Sequence, residues 1–280
     1  MILVTGATGN VGSQIVTQLL AQDQKVRLFT RDAGKVGKLA NQVELTLGDF
    51  SQPNTFAKAV TGVDAVFMMN GALDGALFRQ LMAIAKDQGS PRVVFLSSLF
   101  ANDPNLLIGQ LHKEKEDALR ASGLAYAVVR AGSFMTNAYQ WMGSIKGEGV
   151  VYNAMGEGLT APIDPEDIAA VAVHLLTVPA LGQTVFEVTG NILLSEAGKA
   201  AILAKYIGKP IRIIDVPPEQ AAEGLKANGI PPHVARAVAQ SFEAIRAGRA
   251  AHVTDTVERV TGRPPHTFEH WAQQHAARFA

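Results

Sequence analysis

The sequence predicts an α/β fold: a doubly wound parallel sheet with helices on both faces, followed by a smaller, mainly helical C-terminal lobe. Three observations predict it. Apolar, β-rich runs alternate with helical ones through the first 130 residues, a glycine-rich turn joins the first strand to the first helix, and beyond residue 130 the rhythm loosens into proline-broken helices.

Residues 2–4, Ile-Leu-Val, form a short buried strand that runs into Thr5-Gly-Ala-Thr-Gly-Asn-Val-Gly12. Gly6 makes the tight turn, Gly9 leaves no Cβ between the backbone and a phosphate, and Gly12 lets the next helix pack against the strand. That helix is legible in Val11, Ile15, Val16, Leu19 and Leu20, which share one face at helical spacing. Its first N–H groups and positive dipole end point at an anion, and a second strand at 25–30 closes the βαβ unit. Strand, glycines and amphipathic helix in this order are the fingerprint of a Rossmann-type dinucleotide site. Further strands are predicted at 43–47, 65–69, 93–98 and 126–130, and helices at 53–60, 76–87 and 111–121. Two more strands, 150–152 and 184–188, flank a helix at 165–177, and a strand is expected at 191–195. The remainder is mostly helical around a strand at 211–216, with breaks at Pro217-Pro218, Pro231-Pro232 and Pro264-Pro265. The division expected is residues 1–150 as dinucleotide-binding core, and 151–280 as a mixed segment that completes the sheet and covers the substrate.

Composition narrows the function. The 25 basic and 25 acidic residues balance, so nothing invites nucleic acid or an anionic membrane surface, and a small molecule is the expected partner. The absence of cysteine removes disulfides, thiolate metal sites and a cysteine nucleophile together. Redox chemistry must then come from a bound cofactor. No run approaches the ~18 apolar residues of a membrane span, and the expectation is a cytoplasmic protein, monomer or homodimer. His266 and His270 are four apart but lack a third ligand in the sequence pattern, so no metal site is expected. Asp164-Pro-Glu-Asp167 reads as a helix N-cap with acidic first-turn residues.

With Thr5 to Gly12, Thr30-Arg31-Asp32, Gly48-Asp49-Phe50, Ser97-Ser98 and the stretch 116–130 in place, the chain resembles the NmrA-like branch of the atypical short-chain dehydrogenase/reductase superfamily. It looks most like the subgroup of bacterial NAD(P)H:quinone reductases and triphenylmethane-dye reductases. Thr261-Gly-Arg-Pro-Pro265 and the aromatic-bearing helix after it, 268–279, resemble that subgroup's ending, so the likeness covers nearly the whole chain. The cofactor positions implied are Gly6, Thr8, Gly9, Asn10, Val11 and Gly12 in the turn, Asp49 and Phe50 beside the adenine, Asn70 and Gly71 after the fourth strand, and Ser98 after the fifth. Asp49 is equally an ordinary turn residue. Arg31, where NAD-preferring enzymes carry a carboxylate, favours the 2′-phosphate of NADPH, with Lys35 adding positive charge nearby. The competing reading leaves Arg31 solvated and gives the ribose to Asp32.

The chain departs from typical members at the catalytic pair. Counted from Glu116, their Tyr and Lys fall on Ile108 and His112, and no tyrosine lies between Met1 and Gly123. A phenol that protonates an alkoxide is therefore missing. Quinones and conjugated dyes need less help, because hydride addition leaves a phenolate or a neutral product and positioning supplies most of the catalysis. The candidates for chemistry are His112 and Lys113, to hold the nicotinamide ribose or relay a proton, and Ser97, to orient a carbonyl. The plainer readings are a solvated charged face for 113–116 and a strand-ending hydroxyl for Ser97. Gly132 and Ser133 are expected to offer N–H groups to the carboxamide, with Phe134 and Met135 flooring a pocket that Tyr139, Trp141 and Met142 line. Three functions fit: an NADPH-dependent reductase that transfers hydride directly to a quinone or similar conjugated aromatic acceptor, a non-catalytic NAD(P)-binding redox sensor of the NmrA type, or a reductase of an imine or another specialised carbonyl with a rearranged acid.

Overall fold

A computed structural model describes residues 1–69, 74–178 and 182–280. The chain begins with β1 (Ile2–Thr5), α1 (Asn10–Leu20), β2 (Val26–Thr30) and β3 (Glu44–Leu47). It continues through α2 (Pro53–Val60), β4 (Ala65–Met68), α3 (Gly75–Asp87), β5 (Arg92–Ser98), α4 (Leu107–Ala121) and β6 (Tyr126–Ala131). These strands, joined by β8 (Thr184–Val188), form a seven-stranded sheet in the order β3-β2-β1-β4-β5-β6-β8, parallel throughout. The order reverses between β1 and β4, and the crevice at their carboxyl ends is where such sheets bind ligands.

Both faces of the sheet are buried, which is why its strands read as continuous apolar runs. Alternate residues separate into two cores. Ile2, Val4, Phe67, Val94 and Val129 pack under α1 and α6 (Pro165–Thr177), while Leu3, Val66, Phe95 and Val128 pack under α2, α3 and α4. Asp164 caps α6 by accepting the Glu166 N–H at 2.9 Å, with Pro165 in its first turn.

The lobe follows α5 (Met142–Glu148). Its small sheet pairs β7 (Val150–Asn153) with β9 (Arg212–Asp215), and its helices are α7 (Glu196–Ile207), α8 (Pro218–Ala227), α9 (Pro232–Arg246) and α11 (Phe268–His275), while α10 (Thr256–Thr261) returns to pack its Val257 into the core under α6. Buried Asp167 fastens the chain end to α6: it accepts from Arg263 Nη1 and from the His266 N–H, both at 2.7 Å. The conspicuous Thr-Gly-Arg-Pro-Pro run is therefore a structural latch.

Beyond residue 130 the structure differs from expectation in two places. Residues 191–195 form no strand, only a single bridge from Leu194 to Thr160, because the polar run Thr189-Gly-Asn191 turns the chain off the sheet. Met135–Trp141 and α5 fill a stretch the sequence left unassigned, where 3-10 turns and two glycines blur the helical period.

Candidate active site

The glycine turn has the geometry of an anion cradle. Gly6 sits at φ +64°, and a Cβ there would meet the Met69 Sδ at 2.3 Å. A Cβ on Gly12 would stand 2.2 Å from the Gly6 carbonyl oxygen, so this glycine is demanded by the packing of α1 on the turn. Gly9 is different: its nearest neighbour would be the same oxygen at 3.3 Å. α1 starts without a side-chain cap and without an acidic residue in its first turn, which leaves its dipole end open to a phosphate. Thr8 and Asn10 are exposed on this rim, Asn10 donating to Thr136 Oγ1 at 3.2 Å, whereas Val11 turns into the core. The cradle thus fits a dinucleotide pyrophosphate.

At the end of β2, Arg31 is 81% exposed in its side chain and lies 3.8 Å from Asp49 Oδ2. Asp32 is occupied as a helix cap, accepting from Gly34 N at 2.8 Å. Asp49 accepts the Ser51 N–H at 2.8 Å; that bond, more than the Arg31 charge, holds its carboxyl below the usual range. Phe50 packs on Phe29 with ring centroids 5.0 Å apart. Asn70 and Gly71 lie outside the described residues.

At the carboxyl ends of β5 and β6 a cleft of about 950 Å³ opens, walled by Leu99, Phe100, Ile108, Phe134 and Ser133 and roofed by Phe242 and Ile245 of α9. The roof is tied down by Gln240, whose Oε1 accepts the Leu107 N–H at 3.2 Å, and by an ion pair between Arg249 and Asp103. Ile108 and His112, the positions that the resemblance gives to a catalytic pair, both line this space, and among the described residues no tyrosine does. Ser98 lies on the wall and caps the next turn through the Phe100 N–H.

Along the cleft runs a polar chain that is buried at Ser97, Glu116 and Arg130 and reaches solvent at Asn102 and His252. Ser97 Oγ donates to Glu116 Oε1 at 2.6 Å and lies 3.4 Å from His112 Nδ1. Glu116 is gripped twice by Arg130, Nε to Oε1 at 2.9 Å and Nη2 to Oε2 at 2.6 Å. Arg130 also bonds Asn102 Oδ1, and Asn102 Nδ2 donates to Glu187 Oε1 at 2.7 Å. His252 closes the chain on Glu187 Oε2 at 3.1 Å. The hydrogen bonds that Arg130 donates to Glu116 push its guanidinium above its ordinary value. Burial lowers His112 to about 4; Lys115 reinforces the shift and Glu116 opposes it. His112 is therefore a neutral imidazole at physiological pH.

Several expected residues lie elsewhere. Lys113 is turned to solvent and paired with Asp117, because one helical step from His112 carries it around α4 away from the cleft. The Gly132 N–H is committed to Val188 O at 2.9 Å, where β6 pairs with β8, and cannot serve a carboxamide. Met135, Tyr139, Trp141 and Met142 belong to the lobe's own core with Trp271 and Phe279, and the polar Asn137 and Gln140 from this stretch reach the cleft instead. Glu116, Arg130, Asn102 and Glu187 escaped notice as site residues. Only an arginine inside the apolar run 126–131 signalled a buried ion pair.

The chain matches the NAD(P)H-binding family over residues 6–179. It is 36% identical over 283 residues to an NAD(P)H azoreductase of Xenophilus azovorans, covering 100% of this chain and 99% of the relative. It is 34% identical to a (4-alkanoyl-5-oxo-2,5-dihydrofuran-3-yl)methyl phosphate reductase of Streptomyces griseus subsp. griseus, covering 100% and 99%. Among solved structures, the NADPH-dependent quinone oxidoreductase of Escherichia coli complexed with NADPH superposes with a TM-score of 0.87 at 25% identity, covering 98% of this chain and 99% of that one.

Proposed function

Since this chain belongs to the NAD(P)H-binding family, we propose that it is an NADPH-dependent reductase that passes hydride directly to a quinone or a similar conjugated acceptor held in the apolar cleft. The observation that carries this reading is the cleft itself: a space of about 950 Å³ at the carboxyl ends of β5 and β6, on the same edge of the sheet as the pyrophosphate cradle, in which Leu99, Phe100, Ile108, Phe134, Phe242 and Ile245 make a mainly apolar wall and roof.

When bound, the reduced dinucleotide supplies the hydride. The glycine cradle and the α1 N-terminus hold its pyrophosphate, and Arg31 meets the 2′-phosphate with two guanidinium donors. Phe134 and Leu99 pack against a flat ring, while Phe242 and Ile245 keep water from the reacting face. No phenol stands ready to protonate an alkoxide, so the acceptors best served are those whose reduced form needs no strong acid beside it. The named relatives act on an azo compound, a quinone and an alkanoyl-oxo-dihydrofuran, acceptors with a conjugated or carbonyl-bearing π system.

The test is oxidation of NADPH by flavin-free protein with quinones, azo and triphenylmethane dyes, oxo-furanones, ketones and imines, with NADH in parallel. Turnover confined to the conjugated acceptors supports the proposal. NADPH binding with no turnover on any of them sinks it in favour of a sensor.

A further inference from the structure

The cleft wall holds one hydroxyl that the fold leaves unpaired. Six hydroxyl side chains line the space: Ser97, Ser98, Ser133, Thr160, Thr189 and Ser241. All but Thr160 are engaged. Ser97 donates to Glu116, and Ser241 to the Ala237 carbonyl at 2.9 Å. Ser98 accepts the Phe100 N–H, Ser133 the Asn137 amide, and Thr189 the Thr254 N–H at 2.8 Å. Thr160 Oγ1 is closed off from solvent and makes no hydrogen bond among the described residues. The residue is 3% exposed, and its backbone is fixed on Leu194, to whose oxygen its N–H donates at 3.1 Å and from whose N–H its oxygen accepts at 2.8 Å. A buried hydroxyl without a partner has given up water and gained no bond in exchange. The charged side chains of the same lining are committed to one another: Asp103 to Arg249, and Glu187 to His252 and Arg130.

We infer that Thr160 determines the specificity of the cleft, its hydroxyl turning about χ1 into the space to donate a hydrogen bond to a carbonyl oxygen of an uncharged conjugated acceptor. The turn exchanges Oγ1 and Cγ2 between staggered positions and breaks no backbone bond, because both backbone groups of Thr160 stay on Leu194. The oxygen of a quinone or an oxo-furanone carries lone pairs only, so the hydroxyl is the donor. With the charged side chains paired among themselves, recognition falls to neutral groups, and the acceptor that suits them is a flat, uncharged ring system bearing oxygen. An acceptor without oxygen would fill the same apolar walls and leave Thr160 as it is.

The inference deepens the reductase reading and rests on it for what happens to the acceptor, whereas the contact itself is measured without turnover. Thr160→Val replaces the hydroxyl by a methyl of the same shape. Without ligand, T160V should melt at or above the wild-type temperature, because it removes a buried polar atom that nothing satisfies. Menadione binding to the NADP⁺-loaded protein should weaken roughly three- to tenfold, the worth of one neutral hydrogen bond, and the KM for menadione should rise in step. Malachite green, a conjugated cation without oxygen, should bind both proteins alike, and NADPH should keep its affinity. Thr160→Ser, which retains the hydroxyl, should bind menadione as the wild type does. A T160V protein that melts clearly lower has lost a hydroxyl already bonded within the fold, and overturns the inference. Unchanged menadione affinity, or an equal loss for menadione and malachite green, overturns it as well. If menadione binds through Thr160 and is not reduced, the functional proposal fails and the inference stands. Reduction of menadione with the same KM by wild type and T160V means the reverse, and a wild type that does not bind menadione overturns both.

Discussion

Arg130 and Glu116, on β6 and α4, face each other through two parallel hydrogen bonds of 2.9 and 2.6 Å, with the Glu116 carboxylate fully shielded from solvent. An ion pair so placed is a poor source of stability, because the cost of desolvating both charges consumes the attraction. Its position beside Ser97 gives it another use: Arg130 holds the Glu116 carboxylate where it accepts the Ser97 hydroxyl.

Removing one partner should be far more harmful than removing both. Arg130→Met leaves a carboxylate buried without its counter-charge and should cost roughly 3–5 kcal/mol. The double variant R130M/E116L should recover most of that loss, since apolar groups of similar volume replace the pair. Urea denaturation of both single variants and the double one measures the coupling. Additive losses would show that the two residues do not act as a unit.

Stability should fall with acidification through a window set by His112. Its ring titrates near 4 in the folded protein against 6.5 for the ordinary side chain. Between these values the unfolded chain binds a proton that the folded one refuses, so stability rises with pH across the window and is lost as pH drops from 6.5 toward 4. The full effect is about 3 kcal/mol for a shift of this size. His275, whose ring is also lowered by burial, acts in the same direction, so the readout is the difference between wild type and H112Q. That difference should be flat above pH 7 and narrow below it. Parallel curves for the two proteins would mean that His112 is protonated as readily folded as unfolded.

Cofactor preference should follow Arg31. Its guanidinium is exposed, lies 3.8 Å from Asp49, and is placed to meet a 2′-phosphate. Losing a charge-assisted contact costs about 1.5–3 kcal/mol, so Arg31→Ala should weaken NADPH roughly ten- to hundredfold while leaving NADH nearly unchanged. Fluorescence titration with each nucleotide decides the matter. Equal weakening would return Arg31 to the solvated loop.

What the sequence made legible follows from how local each signal is. The nucleotide half was readable because its markers are short-range: glycines at fixed offsets, an amphipathic α1, and strands buried on both faces. α6 was bounded at Pro165 and Thr177 by its cap and its proline. The cleft was read less well, since its polar chain joins Ser97, Glu116, Arg130 and Glu187 from four separate elements, and no spacing announces such a meeting. The aromatics at 139 and 141 misled for a related reason. An apolar side chain at helical spacing signals burial, not what buries it, and here Trp271 and Phe279 from the far end of the chain do so.

Gly9 and Gly12 separate ligand from fold, although the sequence gives both the same letter. At Gly12 an added Cβ would stand 2.2 Å from the Gly6 carbonyl, a backbone atom that cannot swing aside, so Gly12→Ala should cost about 1–3 kcal/mol or more of stability before any ligand is present. At Gly9 the backbone is extended, with φ −88° and ψ 174°, and the nearest atom to an added Cβ would be 3.3 Å away. The turn can accept it by a small shift, and the lost freedom of the unfolded chain offsets part of the strain, so the apoprotein should stay within about 1 kcal/mol of wild type. The methyl would nevertheless occupy the path by which a pyrophosphate reaches the N–H groups of α1, and NADPH binding should fall tenfold or more. Thermal denaturation without ligand and nucleotide titration, made on both variants, form the complete test. A Gly9→Ala protein that folds and binds NADPH as the wild type does would move the phosphate site away from this turn.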